Sequence, residues 1–177
     1  IGGVDAGFMN GLAGANDAIN RVVPLATGKV FIAGNFTNVN GVARSRIAKL
    51  NPDGTLDTFF DPDTQNGGII DGSIRAIAVD SAGDVLIAGD FQNVGQAPNG
   101  GPRLRIARLN GTTGRLDANF MNVVSEGANA FIDDLFIQDD QRVIVSGAFT
   151  DFSGQSFNRV VRLKGRSTGA GATQHDE

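Results

Sequence analysis

An all-β fold assembled from repeated units is predicted by three observations. One nine-residue pattern recurs: G-K-V-F-I-A-G-N-F at Gly28–Phe36, G-D-V-L-I-A-G-D-F at Gly83–Phe91 and Q-R-V-I-V-S-G-A-F at Gln141–Phe149. An isoleucine (Ile19, Ile74, Ile132) stands 17 residues before the Phe that closes each copy, and the copies are spaced by 55 and then 58 residues. A fixed period of this size marks a repeat architecture. The apolar runs are short and bounded by turn signals in a chain with 25 Gly and only 5 Pro, which favours strands.

Taken in order, the chain opens with V-D-A-G-F at Val4–Phe8. This closing pattern returns as L-D-T-F at Leu56–Phe59, with Phe60 adjacent, and as L-D-A-N-F at Leu116–Phe120. Residues 1–8 are therefore expected to be the closing strand of a preceding or neighbouring unit. A loop of small residues follows, and Ile19–Leu25 reads as a first strand, with Pro24 near its end because proline cannot donate to a ladder. Thr27-Gly28 makes a tight turn. Val30–Gly34 is a second strand, apolar on both faces as expected when neighbours cover both. After a loop, Arg46–Asn51 alternates as a third strand, Pro52-Asp53-Gly54 is a turn, and Thr55–Phe60 is a fourth strand. The second unit repeats the order with strands Ile74–Asp80, Val85–Gly89, Arg105–Asn110 and Arg115–Phe120, and with 61–72 and 91–102 as loops. The third has Phe131–Gln138, Arg142–Gly147 and Arg159–Lys164, then no L-D-x-x-F. Four antiparallel strands per unit and this period predict a β-propeller with three blades, as a partial ring or part of a larger or oligomeric one. The expected divisions are 9–60, 61–120 and 121–164 (incomplete) for the blades, with 165–177 a tail or linker.

The string I-x-x-[LIV]-x-[LIV]-x-x-x-G-x-[LIV]-[LIVF]-I-A-G-x-F, followed by R-I-A-[KR]-L-N-x-x-G-x-L-D-x-x-F, resembles the delta-60 repeat. The likeness covers Val4–Phe8, Ile19–Phe60, Ile74–Phe120 and Ile132–Leu163, and is looser in the third unit, where Asp140-Gln141 replaces a turn glycine. The strand order also looks like a kelch blade. The resemblance implies large bacterial, sometimes phage, surface or secreted proteins that use such repeats as scaffolds or binding arrays, and it implies no catalytic residues.

Composition narrows function. A net charge of −4 without a basic run argues against nucleic-acid binding, and no apolar run is long enough to span a membrane as a helix. There is no Cys, and the single His lies at position 175, so neither a Ser-His-Asp nor a Cys-His system can be assembled. Twelve Phe without Trp or Tyr point to aromatics as core filler. The chain is expected not to be an enzyme, because acids do not recur on the inner strands as a propeller glycosidase would need. Gly34, Gly89 and Gly147 lack the G-x-G-x-x-G context of a phosphate cradle and point to close strand approach or a bulge. With Phe36, Phe91 and Phe149 they are structural repeat positions. Arg46, Arg105 and Arg159 share one position on strand three, and Asp5, Asp57 and Asp117 share one on strand four, which predicts a repeated structural Arg–Asp ion pair or turn anchor, with a ring of charged ligands as the functional alternative.

The short turns fall on one face and the long, variable loops on the other, where binding surfaces are commonly built. Candidate partner-binding positions there are Asn38, Asn40, Asp63, Asn66, Gln92, Asn93, Asn99 and Asp151. Cofactors are expected to be none. Calcium is a weak alternative, because Asp61-x-Asp63-x-Gln65 is oxygen-rich but has no distal Glu. The expected function is a non-enzymatic extracellular or cell-surface (or virion) scaffold, adhesion or protein-interaction module. It would meet a protein or glycan on the long-loop face and join further blades or copies of itself. The alternatives are a self-assembling structural subunit joined by strand donation, and a carbohydrate-binding or carbohydrate-active propeller.

Overall fold

In the computed structural model, which describes residues 2–121 and 126–165, three meander sheets follow one another along the chain. Blade 1 contains β1 (Ile19–Pro24), β2 (Val30–Gly34), the two-residue strands β3 (Asn38–Val39) and β4 (Val42–Ala43), and β5 (Ile47–Leu50). A single helical turn, α1 (Pro62–Gln65), precedes blade 2, which contains β6 (Ile74–Val79), β7 (Val85–Gly89), β8 (Asn93–Val94), β9 (Gly101–Pro102) and β10 (Ile106–Leu109). Blade 3 contains β11 (Ile132–Ile137), β12 (Val143–Gly147), β13 (Asp151–Phe152), β14 (Gln155–Ser156) and β15 (Val160–Leu163). Each main sheet is three-stranded and antiparallel with the second strand central, and each carries a separate two-stranded hairpin. The sequence-predicted tail, including His175, lies outside the described residues apart from Gly165, as does part of the loop 121–130.

The blades stack face to face. Period-2 alternation gives every strand one set of side chains toward the preceding blade and one toward the next. Phe31, Ala33 and Ile47 of blade 1 meet Ile77, Val85, Ile87, Ala107 and Leu109 of blade 2 in one core. Ala76, Leu86, Ala88 and Ile106, on the opposite face of blade 2, meet Leu135, Val143, Val145 and Val161 of blade 3 in a second. Phe60 drops between blades 1 and 2 and stands edge-on to Phe31, with ring centroids 5.0 Å apart. The first strands are innermost, with β6 against both β1 and β11. The three blades form an arc, and among the described residues the sheets do not close into a ring.

The strand-two glycines set the shape of every blade. Gly34, Gly89 and Gly147 pair with Ile19, Ile74 and Ile132. A methyl group on them would overlap the carbonyl oxygens of Ala18, Ser73 and Phe131. Those carbonyls accept from the N–H of the residue after each glycine (Asn35, Asp90, Ala148) at 2.8–3.0 Å. This close approach forces a register shift one residue later in strand one, so Asn20, Arg75 and Asp133 bulge out of the ladder.

Three sequence readings need correction. In blades 1 and 2 the fourth strand is reduced to one bridge each, Leu50–Leu56 and Leu109–Leu116. The cause is the Asp of L-D-x-x-F: its Oδ1 accepts the N–H two residues on, Phe59 to Asp57 and Asn119 to Asp117, and this local turn pulls the chain out of the ladder. The repeated Arg is not on strand three and does not pair with the repeated Asp. Arg46, Arg105 and Arg159 precede the strand with φ of 71, 69 and 70°. Their carbonyls accept from Gly34, Gly89 and Gly147, and their N–H groups donate to the carbonyls of Phe36, Phe91 and Phe149, so the backbone closes the strand-two-to-three loop. Asp57 instead pairs with Lys29 at 2.9 Å, and Asp117 with Arg108 at 2.6 Å. Finally, 61–72 is not all loop: Asp61 caps α1 by accepting from Thr64, with Pro62 in the first turn.

Because the Gly89 contact is with backbone, Gly89→Ala is expected to destabilise the protein by more than about 2 kcal/mol. Thermal unfolding would show this as a lowered midpoint, whereas Gly83→Ala, which meets open space, loses only the cost of its left-handed φ.

Candidate functional site

The bulges bring together side chains that the repeat pattern does not conserve. Position for position, Asn20, Arg75 and Asp133 follow the fixed Ile, and Asn35, Asp90 and Ala148 follow the fixed Gly. Asn20, Arg21, Asn35, Ser73, Arg75 and Asp133 line an open cavity of about 410 Å³ at the long-loop end of the innermost strands.

Its parts are tied across blades. Asn20 Nδ2 donates to Ile74 O at 2.9 Å, and also reaches Asn35 Oδ1 at 3.3 Å and Ser73 Oγ at 3.4 Å. Ser73 donates in turn to Asn35 Oδ1. Arg75 bonds Asp90 of its own blade at 3.0 Å and Asp133 of blade 3 at 3.1 Å, and lies 4.3 Å above the Phe131 ring. Burial pulls the Arg75 guanidinium down, but the two carboxylates outweigh it and hold its pKa above the ordinary value. Arg21 reaches from blade 1 to the Asp133 carbonyl at 3.4 Å. Two arginines face two aspartates, so the cluster is charge-balanced and rich in amide and hydroxyl groups. Such a surface suits a neutral hydrogen-bonding partner more than an ion.

Around it stand the three hairpins. A side chain three residues before each fixed Ile holds the hairpin's first residues. Asn16 Oδ1 accepts from Thr37 and Asn38, Asp71 Oδ1 from Gln92 and Asn93, and Asn129 Oδ1 from Thr150 and Asp151, all at 2.8–3.1 Å. Burial pushes the Asp71 carboxyl up, but hydrogen bonds from the Asn93 side chain and from the Asn93 and Gln92 amides prevail and hold it below the ordinary value.

The eight sequence-predicted binding positions divide. Gln92 and Asn99 are exposed, and Asn38, Asn93 and Asp151 lie partly exposed on β3, β8 and β13. Asn66 is fully buried, donating to Gly114 O and accepting from Leu116 N, and is a structural link between α1 and the L-D-x-x-F segment of blade 2. Asn40 joins Gly14 to Gly54. Asp63 accepts from Ser45 N, and burial raises its pKa. These three are occupied by the fold. No group of three or more His, Cys, Asp or Glu among the described residues is arranged to hold a metal. Asn20, Arg21, Ser73 and Arg75 were not picked out by the sequence reading. Their signal is that they differ between copies next to positions that do not.

A strand-two glycine that builds a bulge, a meander repeated in series and an axial polar cluster define a β-propeller repeat protein. A family profile described as a β-propeller domain of unknown function (DUF5122) matches residues 25–60, 83–120 and 138–165, more than half the chain, and the chain belongs to that family. No curated protein matches it.

Asp71 is charged where blades 1 and 3 use Asn16 and Asn129 for the same bonds. With its folded pKa lowered, Asp71 adds stability above its unfolded value of about 3.9, and this is lost as the pH falls through the folded value. Asp71→Asn is therefore expected to make the acid-side fall of the melting temperature shallower, measured by thermal melts from about pH 5 down to pH 2.

Proposed function

We propose that the chain is a non-enzymatic interaction module, a delta-60-type propeller scaffold of an extracellular or cell-surface bacterial or phage protein. Its partner, a protein or a glycan, is met on the long-loop face around the axial cluster. The observation that carries this reading is the division of labour between positions. Residues constant among the three copies are used up by strand packing and loop closure. Those that vary, Asn20, Arg75 and Asp133 with Asn35 and Asp90, converge on one accessible surface.

Glycoside hydrolysis needs two carboxyl groups about 5–10 Å apart that act as acid and base or nucleophile. Here Asp90 and Asp133 are both engaged by Arg75, which favours binding over turnover.

The test is a glycan array, alongside binding to immobilised surface extracts of bacteria, with three proteins: the native chain, the paired variant Asn20→Ala/Asn35→Ala, and a variant with loop 91–104 replaced by the shorter 36–45 sequence. A partner of the native chain is expected to bind at least about tenfold more weakly to the paired variant, a loss of about 1.4 kcal/mol. Binding indifferent to both variants, or turnover of a glycan by the purified chain, overturns the reading.

A further inference from the structure

The basic side chain of strand three is paired in blade 2 and released in blade 1. Lys49 of β5 and Arg108 of β10 hold the same position, because the carbonyl of each accepts the N–H of the repeated Asp, Asp57 and Asp117, at 2.8 Å. In blade 2 Asp117 also takes the Arg108 guanidinium, at 2.6 Å. In blade 1 a change in the first turn diverts that carboxylate. G-K-V at Gly28–Val30 stands where blade 2 has G-D-V at Gly83–Val85, and Lys29 Nζ reaches Asp57 Oδ2 at 2.9 Å.

Among the described residues Lys49 is left with no carboxylate in ion-pair contact. Its ammonium donates to Gly111 O of blade 2 at 2.8 Å and lies 5.0 Å over the Phe31 ring. Burial is the largest influence on it and pulls its pKa below the ordinary lysine value; Asp57 opposes this and Lys29 adds to it. A cation stripped of part of its water, with one carbonyl and one ring as neighbours, gains from any anion that can reach it.

The space to reach it is there. Lys49 lines a cleft of about 500 Å³ between the short turns of blades 1 and 2, at the end opposite the axial cluster. That volume suits a small organic ligand. Leu25 and Val79 form apolar walls and pack on the core between the two blades. The third wall is Phe59, 80% exposed, at the position that Asn119 holds in blade 2. The two carboxylates lining the cleft are already engaged. Asp57 is held by Lys29 and by the Phe59 N–H at 3.1 Å, and Asp84 accepts from the Asn110 amide at 3.2 Å and from the Gly111 N–H at 3.3 Å.

We propose that this cleft binds a small organic carboxylate with an aliphatic or aromatic body, its carboxylate on Lys49 and its apolar part against Phe59, Leu25 and Val79. Both halves of the ligand are needed. A bare anion leaves the apolar walls wet, and an apolar alcohol leaves the Lys49 ammonium without a counter-charge. A free acid and the terminal carboxylate of a polypeptide present this same chemistry.

Calorimetric titration of the full chain tests the site, with backbone amide shifts to locate it. The probes are 4-phenylbutyrate for a free acid, N-acetylphenylalanine for a chain end, 4-phenylbutanol for the body alone and inorganic phosphate for a charge alone. The better of the two acids is expected to saturate the chain at about millimolar concentration or below, about tenfold or more tightly than the alcohol or phosphate. Whichever acid binds more tightly assigns the source of the carboxylate. The Gly83 and Gly111 amides should shift, and the Lys49 pKa should rise on binding. Lys49→Met keeps an unbranched stem over Phe31 and should weaken the acid about tenfold. Phe59→Asn, at an exposed position, should also weaken it; circular dichroism confirms that both variants are folded. Failure of both acids to saturate the native chain by about 10 mM overturns the proposal. So does an alcohol that binds as tightly as the acid, or acid binding indifferent to both variants. None of these results bears on the axial cluster, which lies at the other end of the blades.

Discussion

Everything in a blade follows from one steric condition, the contact between the strand-two glycine and the carbonyl of the residue just before strand one. Where Gly34, Gly89 and Gly147 stand, there is no room for a Cβ. The two backbones therefore come close enough for the next residue's N–H to donate to that same carbonyl. A ladder pinned this tightly cannot keep its register, and the strand gives way one residue later. The bulge is thus the mechanical result of the glycine, and the axial cluster is the chemical result of the bulge. A side chain that would have faced a neighbouring blade is turned toward the axis, where polar groups stay hydrated.

The second consequence is a separation between packing and recognition. Faces that meet between blades are covered by Ile, Val, Leu, Ala and Phe in alternation, and burial of those surfaces holds the arc together. The polar links between blades, such as Arg75 to Asp133 and Asn20 to Ile74, sit at the rim of those faces. Exposed pairs of this kind contribute at most about 1 kcal/mol each. They fix the lateral register of one blade on the next more than they add stability.

Much of this was legible in the sequence, because packing leaves a periodic trace. Val30–Gly34 and Val85–Gly89 read as strands to the residue, since an apolar run between a turn and a fixed glycine allows little else. The fourth strand was misread because L-D-x-x-F has strand composition, while one hydrogen bond from the Asp side chain overrides it. The left-handed arginines were misread for a similar reason: R-I-A-K-L-N alternates, and nothing in the pattern shows that Arg46 has φ of 71°. The helical turn at Pro62 did leave a trace, an Asp cap followed by Pro, but four residues fall below the length at which periodicity speaks. The axial residues leave no periodic trace: they are the exceptions to the repeat, and they meet only where the three bulges come together in space.

The side chains of Asn16, Asp71 and Asn129 close their hairpins at the base, and this bears on how such a chain can change over time. A loop whose entry is clamped and whose exit is held by the backbone of Arg46, Arg105 or Arg159 has already paid most of its closure entropy. Added residues then cost only a slowly rising logarithmic increment. The second hairpin, longer than the first, shows that increment being tolerated without any change in the strands beneath it. Each blade is in this sense a socket with a fixed rim, into which new sequence can be inserted while the core stays the same.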